Sequence, residues 1–238
     1  MRSRPLLRCI MDAGSWAYGA AAPGLKAAAA SVFLTLGLAG SVAAAETTLL
    51  ALGDSLTHGY GLAEEDGFVP QLEAWLQARG HDVEVINAGV SGDTTRGGLS
   101  RLEWSLSPEV DAVIVELGGN DLLRGIDPAS SKANLDAILT ALCEKGLPAL
   151  LTGLPAPRNY GEDWQQAFDA MYPDLAETHG ALLYPNFLAG IGGLEDREAG
   201  RALMQGDGIH PNAEGVKKVV EGIGPKVEEL IERVRAQD

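Results

Sequence analysis

Short apolar runs alternate along this chain with longer segments whose apolar residues recur every three or four positions. The runs fall at 48–53, 83–86, 111–117, 148–152 and 181–184, and include Leu49-Leu50-Ala51-Leu52 and Val113-Ile114-Val115. Runs this short and this apolar read as strands buried on both faces. Between them, Val69, Leu72 and Leu76 repeat at helical spacing, as do Leu99, Leu102 and Leu106. Leu135, Ile138, Leu139 and Leu142 follow, then Trp164, Phe168, Met171 and Leu175. Each set marks one face of a helix packed on a core. The last segment carries Val216, Val219, Val220, Ile223, Val227, Leu230, Ile231 and Val234, and its Gly222, Gly224 and Pro225 predict a kink or a division. Strand and helix in alternation predict a doubly wound α/β domain. Neither a repeat nor a low-complexity linker interrupts it, so 46–238 reads as one domain.

Residues 1–45 break the pattern. Arg2, Arg4, Arg8 and Lys26 precede a small-residue apolar run from about Ala27 to Val42, which ends in Ala43-Ala44-Ala45. A basic flank, a short apolar stretch and an Ala-x-Ala exit predict a cleaved export signal, with Met1 or Met11 as its start. The run lies near the lower length limit for a membrane span, so stable insertion is the weaker alternative. Periplasmic or secreted location follows as an expectation.

Charge narrows the partners. The whole chain holds 18 Lys+Arg and 33 Asp+Glu; the leader removes four basic residues and Asp12, leaving 14 against 32 and a net charge near −18. Such a surface repels phosphate backbones and anionic lipid head groups, so nucleic acid is not expected as a partner. Cys9 falls in the leader, and Cys143 shares an apolar helix face with Leu139 and Leu142, where a small buried packing residue is expected rather than a nucleophile. His58, His81, His179 and His210 show no paired ligand spacing, and no metal or other cofactor is expected. A monomer is expected.

Chemistry is concentrated at the ends of the strand runs. Leu49–Leu52 stops at Gly53-Asp54-Ser55-Leu56, a strand-turn-helix that puts Ser55 where open α/β sheets present ligands. Taken alone, Ser55 is as well explained as a helix cap. Near the other end, Asp207-Gly208-Ile209-His210-Pro211 sets an acid three residues before a histidine across a tight loop. That acid can hold the ring's Nδ1–H and leave Nε2 as a base. A turn-forming Asp and a surface His are the plain alternative. Ser91 is a second nucleophile candidate, but it lacks a long apolar strand before it. Two glycine-bearing stretches, Ile86–Asp93 and Gly118-Gly119-Asn120-Asp121, follow strand runs and can present amide donors to an oxyanion. No Gly-x-Ser-x-Gly elbow is present, which argues against the common α/β-hydrolase arrangement.

Taken together and in order, Gly53-Asp54-Ser55-Leu56, Gly92 within Ser-Gly-Asp-Thr, Gly118-Gly119-Asn120-Asp121 and Asp207-Gly208-Ile209-His210-Pro211 resemble the four blocks of the SGNH (GDSL) hydrolases. Leu154–Gly161 adds to a likeness with the exported bacterial acyl-CoA thioesterase, lysophospholipase and arylesterase group. The resemblance implies a three-layer α/β/α, flavodoxin-like fold with a central parallel sheet. It implies Ser55 as nucleophile, His210 as base then acid, and Asp207 as the acid that orients it. The oxyanion hole would comprise the Ser55 and Gly92 N–H groups and the Asn120 side chain. Asp54, Asp121, Leu122 and Pro157 would contact substrate, and loops 122–127, 154–162 and 185–206 would shape its pockets. The expected partner is a small-molecule or lipid ester. Neutral, aryl and short or medium acyl esters and lysophospholipids rank ahead of polyanionic acyl-CoA. Carbohydrate O-deacetylation, or ligand binding without turnover, are the rival readings.

Overall fold

A computed structural model of the chain describes residues 46–192 and 200–237; the expected leader, 1–45, lies outside them, as do residues 193–199 of the last pocket loop. Five strands, β1 Thr47–Gly53, β2 Val83–Gly89, β3 Ala112–Glu116, β4 Ala149–Thr152 and β5 Leu182–Tyr184, form one sheet in the order β2-β1-β3-β4-β5, every pair parallel. The chain steps from β1 outward to β2, then crosses back to β3 on the other side. Strand order therefore reverses around β1, and the carboxyl ends of β1, β2 and β3 border the crevice where such sheets bind ligands.

Period-two alternation divides the core. Leu49, Ala51 and Ile114 face one apolar layer with Leu72, Val219, Ile223 and Val227, while Leu50, Leu52, Val113 and Val115 face the other with Leu135, Leu139 and Phe168. The first layer is built by α2 (Phe68–Gln77) and the final helix, α7 (Ala213–Arg235); the second by α3 (Thr95–Ser105), α5 (Pro128–Glu144) and α6 (Glu162–His179). Both faces of the sheet are thus covered, and this gives three layers. Two short helices, α1 (Ser55–His58) and α4 (Gly119–Arg124), follow β1 and β3 directly.

Three expectations need adjustment. Strand β2 runs on through Asn87, Ala88 and Gly89, which pair with Ala51, Leu52 and Gly53; as an edge strand it does not need apolar residues on both faces. Helix α7 is not divided. Its glycines serve close packing instead: a Cβ on Gly224 would stand 2.5 Å from the Trp75 ring, and one on Gly222 2.7 Å from Tyr184 Oη. Cys143, expected to be buried, is half-buried. Among the described residues, no helix is long and apolar enough to cross a membrane.

Candidate active site

The turn after β1 presents a hydroxyl. Asp54, not Ser55, is the cap of α1: its Oδ1 accepts the Leu56 N–H at 3.0 Å, which leaves Ser55 as the first helical residue with its side chain free for other work. Gly53 lacks a side chain because Thr57 Oγ1 and the Glu116 carbonyl occupy the space beside it.

The partner imidazole arrives from the loop before α7. Gln205 shapes this loop: its N–H donates to the His210 carbonyl at 2.7 Å, and its amide donates to Pro211 O at 2.9 Å and Tyr60 O at 2.8 Å. The Tyr60 ring lies against His210, centroids 4.7 Å apart. His210 Nε2 is then 2.8 Å from Ser55 Oγ, and Nδ1 is 2.6 Å from Asp207 Oδ2. Asp207 Oδ1 accepts the backbone N–H groups of Ile209 and His210 at 2.9 and 3.0 Å. The His210 bond, and then these two N–H groups, lower the Asp207 carboxyl to about 2. A carboxylate only accepts, so Nδ1 carries the ring proton, and Nε2 offers its lone pair to the serine O–H.

Amide donors and a buried acid complete the surroundings. Asn120, in α4, donates from Nδ2 to Asp54 Oδ2 at 3.0 Å; this fixes the carboxamide and leaves the second N–H of the same nitrogen available. Gly92 has a left-handed φ of 88°, and its carbonyl accepts from the Arg124 guanidinium at 2.8 Å. Beneath the serine turn lies Glu116, 1% exposed, whose Oε2 accepts from Thr57 Oγ1 at 2.9 Å and from the Asp54 N–H at 3.4 Å. Its Oε1 has no hydrogen-bond partner. Burial, then the nearby Asp54 carboxylate, push the Glu116 carboxyl well above the usual range, and burial raises Asp54 as well. Among the described residues, no group of three or more His, Cys, Asp or Glu side chains could hold a metal ion.

The profile of the GDSL-like Lipase/Acylhydrolase family matches residues 51–218. The chain belongs to this family. Esterase TesA of Pseudomonas aeruginosa is 39% identical over 189 residues, covering 79% of this chain and 91% of that one. Thioesterase 1/protease 1/lysophospholipase L1 of Escherichia coli K12 is 36% identical over 200 residues, 84% of this chain and 92% of that one. The crystal structure of AlinE4, an SGNH-hydrolase family esterase, superposes with a TM-score of 0.64 at 43% identity over 77% of this chain and 96% of that one. The chain is a serine esterase of the GDSL/SGNH hydrolases, with their α/β fold.

The space next to Ser55 is open. A cavity of about 640 Å³ opens there, lined by Asp54, Ser55 and Asn120 and by apolar side chains including Leu122, Leu154, Pro157, Leu188 and Met204. Of the four expected substrate contacts, Leu122 and Pro157 line the cavity. Asp54 also lines it, with both oxygens already engaged. Asp121 does not reach it: the buried carboxylate takes Thr95 N–H at 2.8 Å, Thr95 Oγ1 at 2.7 Å and Ser131 Oγ at 2.8 Å, and so joins α3, α4 and α5. Ser91 pairs with His58 Nδ1 at 3.3 Å and not with His210. Sequence reading missed Glu116, whose only signal was a carboxylate ending an otherwise apolar strand. It also missed Tyr60, Gln205 and Arg124, which carry no signal that distinguishes them from surface residues.

Proposed function

We propose that Ser55 is the nucleophile of this esterase, His210 its general base and then acid, and Asp207 the carboxylate that orients the ring. The observation that supports this is the unbroken chain from Asp207 Oδ2 through His210 to Ser55 Oγ, 2.6 and 2.8 Å, at the mouth of an apolar cavity. As the Ser55 oxygen attacks the ester carbonyl, its proton passes to Nε2 and the new imidazolium is stabilised by Asp207. The carbonyl oxygen becomes an oxyanion, met by the free Asn120 N–H and by the N–H groups of Ser55 and Gly92. Collapse expels the alcohol, which takes the Nε2 proton, and water repeats the sequence on the acyl-serine.

The cavity suits an apolar acyl chain more than a sugar, so carboxylic esters with short or medium acyl chains, aryl esters and lysophospholipids are the proposed substrates. The net charge near −18 of residues 46–238 opposes polyanionic acyl-CoA. Export through the 1–45 leader, and action as a monomer, belong to the same proposal. A fluorophosphonate probe tests the nucleophile: one label per chain, at Ser55, is expected, with none on Ser55→Ala. Labelling that survives in Ser55→Ala refutes it. A panel of p-nitrophenyl acetate through laurate, lysophosphatidylcholine and palmitoyl-CoA tests the substrate, and a clear preference for the CoA thioester overturns the ranking.

A further inference from the structure

We propose that Arg101 is a positioning residue for this reaction, fixing the turn that carries Ser55 against the loop that carries Gly92. The proposal rests on the roles given above to Ser55 and Gly92. Arg101 lies in α3, its side chain 16% exposed, and it is not among the residues lining the cavity. Its guanidinium fork holds three separate stretches of chain. Nε donates to Asp93 Oδ2 at 2.6 Å, Nη1 to Ala88 O at 2.7 Å, and Nη2 to Gly53 O at 2.8 Å. A weaker bond runs from Nη1 to Ser105 Oγ at 3.4 Å within the same helix.

Gly53 ends β1 and stands two residues before Ser55; Ala88 is the next-to-last residue of β2; Asp93 directly follows Gly92. One cation therefore joins the end of the serine strand, the end of the neighbouring strand and the loop between β2 and α3. The Gly53 carbonyl also accepts the Val90 N–H at 3.0 Å, so strand end and loop meet at one oxygen that Arg101 completes. Helix α3 is seated for this purpose: Gly97 leaves its side-chain space to the Asp93 carboxylate. A planar fork with donors at fixed angles serves three acceptors in different directions, and a lysine ammonium on its flexible stem does not reproduce that geometry. Two of the proposed oxyanion donors, the Ser55 and Gly92 N–H groups, sit on the two pieces Arg101 joins. Misplacing a reacting or donor group by about 1 Å costs on the order of 10² in rate.

The test compares Arg101→Ala, Arg101→Lys and Asp93→Asn with the wild type in kcat and KM on p-nitrophenyl butyrate, fluorophosphonate labelling rate and Tm. Arg101→Ala is expected to lose about 10- to 100-fold in kcat and in labelling rate, with KM within about twofold. Guanidinium at millimolar concentration is expected to restore part of that kcat, while methylammonium at equal ionic strength does not. Arg101→Lys, which keeps the charge, is expected to lose most of the same activity. A residue that only supports the fold would lower Tm without a guanidinium-specific gain in turnover. If Arg101→Ala fails to fold, Arg101→Lys and Asp93→Asn decide. Folded variants within about threefold of the wild type in kcat, or losses that guanidinium and methylammonium relieve equally, overturn the proposal. A wild type that takes no label at Ser55 would instead refute the assignment of the nucleophile, so the two failures are distinct.

Discussion

Replacing Asp207 with Asn changes one atom and should disable His210. In the wild type, Oδ1 accepts two backbone N–H groups, at 2.9 and 3.0 Å, and Oδ2 accepts the ring Nδ1–H at 2.6 Å. An Asn keeps the two backbone bonds only if its single oxygen stays on that side, because the flipped amide would aim N–H at N–H. The NH2 group then faces Nδ1 and donates to it. The ring proton moves to Nε2 and points at Ser55 Oγ, where a lone pair is needed. The same substitution in a buried serine-protease triad costs about 10⁴ in kcat. Here the Asp207 side chain is 37% exposed, so water can partly replace the carboxylate, and about 10³ is expected, equivalent to about 4 kcal/mol of barrier. The loss should fall on kcat with KM little changed, since the substituted group acts only in proton transfer. Steady-state hydrolysis of p-nitrophenyl butyrate at neutral pH measures it, with Tm and circular dichroism to verify folding. More than a tenth of wild-type kcat in folded Asp207→Asn would refute the tautomer argument. The Asp207 carboxyl is lowered from an ordinary 3.8 to about 2, so its stabilising contribution is complete above 3.8 and is lost as pH falls through 2. The Tm difference between wild type and Asp207→Asn should be flat above that range and close within it.

Other substitutions test other parts of the site. Asn120→Ala should lower kcat by about 10²–10³, read by the same assay; a loss under about threefold removes the carboxamide from the oxyanion site. Glu116 is raised in the folded state, so its contribution is present below its ordinary 4.5 and is lost as pH rises through the higher folded value. Glu116→Gln, a neutral isostere, should therefore match the wild type in Tm at acid pH and gain on it at alkaline pH; parallel Tm–pH curves would show that the Glu116 carboxyl is not raised in the fold. Gly53→Ala forces a methyl group into Thr57 Oγ1 and the Glu116 carbonyl. It should cost about 1–3 kcal/mol in urea unfolding and reduce Ser55 labelling, and a variant of unchanged stability would contradict the packing.

The strands and helices were legible because burial leaves a period of two or 3.6 in the residues themselves. Leu49–Leu52, Val113–Val115 and the Leu135 series state their faces without help from the rest of the chain. Ser55, Asn120, Asp207 and His210 were legible for a different reason: each stands at the end of a strand run or before a helix, in a short block that can be recognised as such. Periodicity tells which side of an element is buried but not what it meets. Ser55 and His210 are 155 positions apart, and their 2.8 Å approach depends on α7 packing across the sheet. In the same way the buried partner of Asp54 is Glu116, and Arg101 finds carbonyls on two strands, because the parallel order β2-β1-β3 puts those strand ends side by side. Asp121 shows the limit most plainly. It sits beside Asn120 in the same block, yet one helical step turns its carboxylate away from the cavity and into the junction of three helices. Which long-range neighbours a polar side chain acquires is fixed by the packing of layers, and that information is spread over the whole chain.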